Sequence, residues 1–506
     1  MLPWTIYLSF LGAAAMLLVP ARHAQAARVA ALAVTLAGAV CAFGGAAAYH
    51  PGQALLTLTR VKWIPALGAE YFLAVDGINL PLVLLTAIAA VAGVLFSWNV
   101  TDRPREFFAL YLALIGGVYG VFLSFDAFLL FFFYEVAIIP KYFLIAIWGS
   151  TRREYGAMKL ALYSFIGSAL VFIGLLAVYV VAARQTGLAT FDLSALAKVA
   201  FPANFQHWVF PLIFVGFAVL AGLWPLHTWA PTGHVAAPTA ASMLLAGVVM
   251  KLGAYGALRV AVAMFPEGVK AWQDPIAVLA VIGIVYGALA AMVQKDFKFV
   301  IGYSSVSHMG FVLLGLVTLN ELGLSGAVLQ MFSHGIIAGL LFGVVGRMVY
   351  DRAHTRDLEA LEGMRLSRVL PFAAVTFVLA SMASMGLPGF SGFVAEISVL
   401  IGAWQAFPAA AIVTGIGIVI GVAYLLRAIQ KAFFAATKTD ALPNGNAPAA
   451  IAEPPALEPI SWPERLGAAL LLATTIVIGL RPQLLLDYIL PSVKPLVAVW
   501  QQGGGL

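Results

Sequence analysis

The chain reads FFALYLALIGGVYGVFLSF from residue 107 to residue 125, without a single charged side chain. A second such stretch, PIAVLAVIGIVYGALAAMVQ, runs from residue 275 to residue 294. A helix needs about 20 mainly apolar residues to cross the hydrocarbon core of a bilayer. Both stretches are long enough, so they predict membrane-spanning α-helices.

The composition of the whole chain agrees with this prediction. Of its 506 residues, 62% are hydrophobic and only 10% are charged, whereas a soluble globular chain has about 25% charged residues. The mean hydropathy is +0.99, which indicates an integral membrane protein. The one cysteine, Cys41, excludes a Cys-ligated iron-sulfur cluster, a Cys-based zinc site and an intramolecular disulfide, because each needs at least two thiols. We therefore expect neither a metal nor a redox cofactor in this chain.

The predicted fold is an all-α polytopic membrane protein with about fourteen spans. The predicted spans are 3–20, 28–48, 79–99, 107–125, 127–149, 157–182, 208–229, 236–262, 275–294, 299–319, 323–349, 370–406 (broken), 408–434 and 464–480. The first span resembles a signal peptide, but the residues before its apolar core carry no positive charge, which favours a retained helix. Residues 435–463, rich in proline, predict a cytoplasmic linker. Residues 464–506 are predicted to contain the last span and a C-terminal tail.

Basic residues are unevenly shared between the two predicted faces. Sorting the loops gives 18 Lys and Arg on one face and 8 on the other. We call the first the basic face; it carries Arg103, Arg152, Lys295, Lys298 and Arg347, among others. The positive-inside rule places this face in the cytoplasm and both termini in the periplasm of a bacterial inner membrane.

Two spans are interrupted by Gly and Pro at matching positions. Gly222-Leu-Trp-Pro lies in the seventh span and Gly386-Leu-Pro-Gly in the twelfth. An odd offset of five spans inverts the second unit, so residues 107–262 and 275–434 predict two inverted five-helix repeats after an N-terminal unit of three helices, residues 1–106. Paired breaks point to an ion or substrate path near the midplane, although Gly and Pro are also common in membrane helices.

Four ionisable residues lie within the predicted spans: Glu135, Lys141, Lys251 and Glu396. A charge at the bilayer centre costs at least about 3 kcal/mol, so each group needs a partner, water or a neutral state. Titratable or polar residues occur on nearby spans, namely His227, His234, His308, His334, Tyr303, Ser304 and Ser305. Alternating carboxylate, amine and imidazole groups favour a proton relay of Glu135, Lys141, Lys251, His334 and Glu396, with the other histidines as weaker candidates. The alternative is a fixed ion pair that tethers helices.

Five sequence segments carry a resemblance to a known family. They are GLWPLHTWAPTGHVAAPT (222–239), LAGVVMKLGAYG (245–256), KFVIGYSSVSHMG (298–310), GLPGFSGFVAE (386–396) and, near the start, VDGI (75–78). Together they resemble the antiporter-like membrane subunits of respiratory complex I (NADH:quinone oxidoreductase), most closely the NuoM type, or chain 4. The resemblance runs through nearly the whole chain in order.

The resemblance implies a proton-translocating module driven by quinone reduction elsewhere in the complex. Glu135 matches the glutamate of helix five, Lys251 the central lysine of helix eight and Glu396 the terminal ionisable residue of helix twelve. Flavin, iron-sulfur clusters and quinone are then expected in other subunits. The implied partners are other membrane-arm subunits, including flanking antiporter-like subunits, and lipids, with no nucleic acid.

The chain departs from the family pattern at two positions. Leu220 stands where the resemblance implies a lysine partner for Glu135, and Thr232 stands where Asp is usual. Lys141 is a candidate replacement for that lysine, because six residues of helix rise about 9 Å and Pro140 loosens the backbone. Two other functions stay open: a subunit of a related cation/proton antiporter or membrane-bound hydrogenase, and a non-transporting membrane scaffold.

Overall fold

The computed structural model describes residues 1–20, 23–53, 55–435 and 457–501. The long helices, in chain order, are α1 (Pro3–Met16), α2 (Ala24–Ala47), α3 (Asn79–Phe96), α4 (Pro104–Leu123), α5 (Ala127–Trp148), α6 (Arg153–Thr186), α7 (Ala203–Ala221), α8 (Trp229–Ala236), α9 (Thr239–Val262), α10 (Pro266–Val293), α11 (Phe297–Leu316), α12 (Glu321–Ala353), α13 (Pro371–Ser384), α14 (Ser391–Ala406), α15 (Pro408–Phe434), α16 (Trp462–Leu480) and α17 (Gln483–Gln501). Short helices at Leu193–Leu196, Leu358–Glu362 and Leu366–Val369 lie in the connections.

Within those described ranges, twelve helices are long and apolar enough to cross a membrane. They coincide with twelve of the predicted spans, which confirms a predominantly helical, multi-pass fold. The two other predicted spans fall on shorter helices: α1 has 14 residues, and 370–406 is shared between α13 and α14. The count of fourteen spans therefore stays a prediction.

The helices before the two Gly-Pro segments end in the same way. At the end of α7, Gly222 adopts φ +88°, and the amide of Leu223 donates back to the carbonyl of Ala218 at 3.0 Å. At the end of α13, Gly386 adopts φ +71°, and the amide of Leu387 donates back to Met382 at 3.1 Å. This left-handed glycine cap with a six-to-one hydrogen bond stops a helix. After each break the chain resumes as a helix, α8 after the first and α14 after the second.

Polar caps fix where several helices begin. Asp126 accepts from the amide of Leu129 at the start of α5, and Asp296 accepts from the amide of Lys298 at the start of α11. Ser461 and Glu464 form a reciprocal capping box at the start of α16. Such caps satisfy amides that have no partner within the helix.

Three elements were not predicted, two strands and a helix. Strands β1 (Leu56–Ile64) and β2 (Ala69–Val75) form an antiparallel hairpin with Leu56 opposite Val75. The predicted C-terminal tail contains helix α17, which starts shortly after α16 ends. Of the predicted linker, residues 436–456 lie outside the described residues.

The core is formed by helices that are buried on all sides. Nearly every residue of α3, α9, α11 and α12 is buried, whereas α2, α6, α15 and α16 turn much of their surface outward. Parts of the central helices widen to π-helical geometry, among them Leu245–Val249 in α9 and Val344–Tyr350 in α12. Such turns are frequent at functional sites, and the first lies shortly before Lys251. The division into two five-helix repeats stays a prediction.

Candidate functional site

Lys251 lies at the centre of the buried helix α9 and is fully enclosed. Its ammonium donates to the carbonyl of Ala246, which belongs to the π-helical turn five residues earlier. The same Nζ lies 2.7 Å from Nδ1 of His334 on α12. The lysine thus has two hydrogen-bond partners in the interior of the helix bundle.

A second histidine, His308, packs against the ring of His334. The rings of His334 and His308, from α12 and α11, stack with centroids 5.4 Å apart and planes 27° apart. Nδ1 of His308 lies 2.9 Å from Oε1 of Glu396 on α14, and its Nε2 lies 3.0 Å from the hydroxyl of Ser384. Four helices and the end of α13 therefore place Lys251, His334, His308 and Glu396 in one buried line, which we call the central row.

The carboxylate of Glu396 is held at the Gly-Pro break before α14. Gln330 donates to Glu396 Oε1 at 3.3 Å. A Cβ atom at Gly386 would lie 2.9 Å from Glu396 Oε2, so the break leaves room for the carboxylate. A cavity of about 10 Å³ beside Glu396 is lined by Tyr424 and Gly421, a volume close to that of one water-sized probe.

Glu135 lies in a different environment, on α5. It is half-buried and lines an apolar groove between α5 and α6 with Phe132, Ile139 and Phe165. In the part of the chain that the structure describes, its buried Oε1 has no hydrogen-bond partner. The carboxylate therefore meets the outer surface of the chain rather than the central row.

Lys141 is buried in α5, with 1% of its surface exposed, and its Nζ has no hydrogen-bond partner among the described residues. Its ammonium and the carboxylate of Glu135 do not form a direct ion pair among the residues described. Leu220, at the position implied for the missing lysine, is buried in α7. The replacement of that lysine by Lys141 stays a prediction.

The two remaining histidines lie outside the hydrogen bonds of the central row. His227 contacts Tyr286, with ring centroids 5.2 Å apart, and His234 contacts Phe342 at 4.9 Å. Both are buried, and all four of their ring nitrogens lack a hydrogen-bond partner within the described ranges. Near the row, Ser304 accepts from the hydroxyl of Tyr424 at 2.6 Å.

Comparison with known proteins places the whole site in one family. The sequence model described as "NADH:quinone oxidoreductase/Mrp antiporter, TM" matches residues 124–421, more than half of the chain. The chain belongs to this family. The matched part of this NADH:quinone oxidoreductase/Mrp antiporter family member contains all eight candidate residues.

Individual relatives match over most of their length. NAD(P)H-quinone oxidoreductase chain 4 3 of Picosynechococcus sp. is 39% identical over 380 residues, which cover 74% of this chain and 68% of the relative. NADH-quinone oxidoreductase subunit M of Rhodobacter capsulatus is 37% identical over 443 residues, 86% of this chain and 83% of the relative. A chain of respiratory complex I from Thermus thermophilus, solved with bound NADH, has a TM-score of 0.86 at 25% identity and covers 99% of this chain and 100% of its own.

Sequence analysis missed two polar side chains that contact the central row. Gln330 and Ser384 contact Glu396 and His308, respectively. Gln330 lies four residues before His334, so both face the same side of α12; this spacing within an apolar helix was a readable signal. Ser384 had no comparable signal, because its partner lies 76 residues away along the chain.

Proposed function

We propose that this chain is a proton-translocating membrane-arm subunit of an NADH:quinone oxidoreductase, and that the central row carries the protons. The observation that supports the relay is the line of contacts from Lys251 through His334 and His308 to Glu396. The relatives named chain 4 and subunit M support the assignment to this enzyme complex. The redox steps, with flavin, iron-sulfur clusters and quinone, are assigned to other subunits.

The chemistry of the row follows from its hydrogen bonds. Lys251 as an ammonium donates to Nδ1 of His334, so neutral His334 carries its own proton on Nε2. When His334 accepts the lysine proton at Nδ1, it becomes an imidazolium that can release a proton from Nε2.

His308 can transfer a proton from one ring nitrogen to the other in the same way. His308 donates through Nδ1 to Glu396 and accepts from Ser384 at Nε2, so a proton arriving at Nε2 releases the Nδ1 proton to the carboxylate. The two histidine rings stack without a hydrogen bond, so transfer between them requires a bridging water or rotation of a ring. Proton transfer between His334 and His308 is therefore the step at which the row can be opened or closed.

The location and orientation are part of the same proposal. The excess of Lys and Arg on the basic face supports a bacterial inner membrane with that face in the cytoplasm and both termini in the periplasm. The complex-I-like fold supports contacts with other membrane-arm subunits, among them flanking antiporter-like subunits.

Purification of the tagged chain in mild detergent tests the enzyme assignment. We expect it to retain partner subunits that oxidise NADH with a quinone acceptor and, after reconstitution in vesicles, to couple this oxidation to proton movement. The family also contains Mrp antiporters. A purified assembly that exchanges Na⁺ for H⁺ and lacks NADH oxidation would contradict the proposal and identify an antiporter subunit instead.

A further inference from the structure

A cavity of about 270 Å³ opens on the basic face, away from the central row. Its lining includes Thr101 and Asp102, which are exposed, and Ala237, Ala240 and Lys298, which are buried. The cavity therefore reaches from the surface to the start of α9. Thr101 and Asp102 form its mouth, and Lys298 lies at its inner end.

Lys298 is buried at this inner end, with 2% of its surface exposed. Its ammonium donates to the carbonyl of Ala237 at 3.0 Å, and the hydroxyl of Ser242 also donates to that carbonyl, at 3.2 Å. Lys251 donates to a carbonyl further along the same segment, that of Ala246 in α9. The short stretch from Ala237 to Ala246 thus receives an ammonium at each end, one beside the cavity and one in the central row.

The charged groups around Lys298 are already paired with other residues. Asp296 contacts Arg356 at 3.2 Å, and Asp351 contacts Arg347 at 3.1 Å. Arg356 also donates to the carbonyl of Val235 at 2.9 Å. Across the described ranges, no carboxylate lies within ion-pair distance of Lys298, so its ammonium is free of a fixed counter-ion.

His234 lies three residues before Ala237, whose carbonyl accepts from Lys298. Its ring is fully buried, and neither of its nitrogens has a partner within the described part of the chain. Ser242 donates to the carbonyl of His234 at 2.8 Å and to that of Ala237 at 3.2 Å, which ties the start of α9 to the residue that carries the ring. Lys251 and Lys298 both lie within electrostatic range of this ring. An unpartnered buried imidazole has both an open acceptor and an open donor for a proton.

We propose that this cavity is the proton intake of the chain, with Lys298 as its receiving group and His234 as the link to Lys251. The inference rests on the proposed function. A proton from bulk solvent passes through water in the cavity to the neutral amine of Lys298, and the resulting ammonium passes it to neutral His234. The imidazolium then passes it to Lys251 after Lys251 has given its own proton to His334 and become a neutral amine. Each transfer moves one proton and restores the donor, and the four-carbon stem of each lysine is flexible enough for its amine to move toward the ring.

The competing explanation is that Lys298 only tethers α11 to the start of α9 through Ala237. Three substitutions in the assembled complex separate the two roles. Lys298→Arg keeps the positive charge and the donors but holds its proton too tightly to release it. Lys298→His keeps a group that can take up and release a proton, but one that is less basic than lysine. Lys298→Met removes both the tether and the proton.

The measurement is NADH-driven proton uptake by inverted membrane vesicles, whose outer side is the basic face. We expect loss of uptake in the Arg and Met variants at every external pH. In the His variant, uptake should be present at acidic external pH and lost as the pH rises, following the titration of the imidazole. Normal uptake in the Arg variant, or a His variant with the pH profile of the parent, would overturn the proposal and leave a tether.

A second variant closes the cavity without touching the lysine. Thr101→Trp fills the mouth from an exposed loop, and Thr101→Ser is the matched control. We expect the Trp complex to lose most of its proton uptake and the Ser complex to keep it. Equal uptake in the two complexes would contradict an intake here.

A Lys251→Met complex separates the failure of the intake from the failure of the proposed function. If this complex loses uptake while the Lys298 and Thr101 variants keep it, only the intake is rejected. If the Lys251→Met complex keeps normal uptake, the proposed function is rejected.

Discussion

Two groups of buried ionisable residues are held in opposite ways. Lys251, His334, His308 and Glu396 form one connected row across α9, α12, α11 and α14. On α5, the carboxylate of Glu135 lies at a surface groove, and Lys141 is buried without a hydrogen-bond partner among the described residues.

The difference shows which buried charges are compensated by contacts within the chain. A charge in the membrane interior costs at least about 3 kcal/mol without compensation. The row supplies compensation within the chain, because each group contacts another that accepts or donates a proton. The carboxylate of Glu135 lies at an apolar groove on the outer surface of the chain, whereas Lys141 is enclosed. Neither Oε1 of Glu135 nor Nζ of Lys141 has a hydrogen-bond partner among the described residues, so contacts within those residues leave both groups uncompensated.

The largest effect is expected from Glu396→Gln, which keeps the shape of the side chain but removes its titration at the end of the row. The complex should assemble and lose proton translocation, as measured by NADH-driven proton uptake. Ser398→Ala on the same helix is the control, because its hydroxyl donates to the carbonyl of Val394 at 2.7 Å and not to the row. Normal uptake in the Glu396→Gln complex would show that protons leave by another route.

An intermediate effect is expected from Lys141→Met on α5. Two unit charges about 9 Å apart at an effective dielectric of 20 interact by about 2 kcal/mol, so loss of the ammonium should slow translocation several-fold rather than abolish it. Adding Leu220→Lys to this variant should restore the rate, and Leu220→Met is its control. A Lys141→Met complex with the parental rate would show that Lys141 does not serve Glu135.

The smallest effect is expected from Ser384→Ala, which removes one hydrogen bond to His308. Such a bond contributes about 1 kcal/mol, so proton uptake should fall by a few-fold. Ser381→Ala on the same helix is the matched control, because that hydroxyl is buried without a partner among the described residues. If both variants fell equally, the effect would come from packing of α13 and not from the row.

The sequence predicted twelve of the long apolar helices and marked Lys141, Lys251 and Glu396 as buried ionisable residues, for a physical reason. A lipid environment demands long apolar helices, and it makes a buried charge such as Lys251 or Glu396 costly enough to stand out. The contacts between those residues could not be predicted from the sequence, because Lys251 and His334 are separated by 83 positions. Their pairing depends on how α9 packs against α12, which no local pattern encodes.

The unpredicted elements had weaker signals. Strand β1 contains Arg60 and Lys62 among β-branched and aromatic residues, an alternation that favours a half-exposed strand, but its neighbours in the sequence are long apolar helices. Helix α17 contains Pro491 and Pro495, and proline normally opposes a helix interior. Tertiary packing overrides that preference here, since Ile489 and Val493 are buried in the core.

The most direct test of the central row is the ratio of protons translocated to NADH oxidised in a Lys251→Arg complex. Arginine preserves the positive charge, so the hydrogen-bonding site beside His334 stays occupied, but it does not release a proton near neutral pH. We predict an assembled complex with a clearly lowered ratio, in vesicles where Ser398→Ala retains the parental ratio. An unchanged ratio with arginine at position 251 would contradict proton transfer from Lys251 to His334.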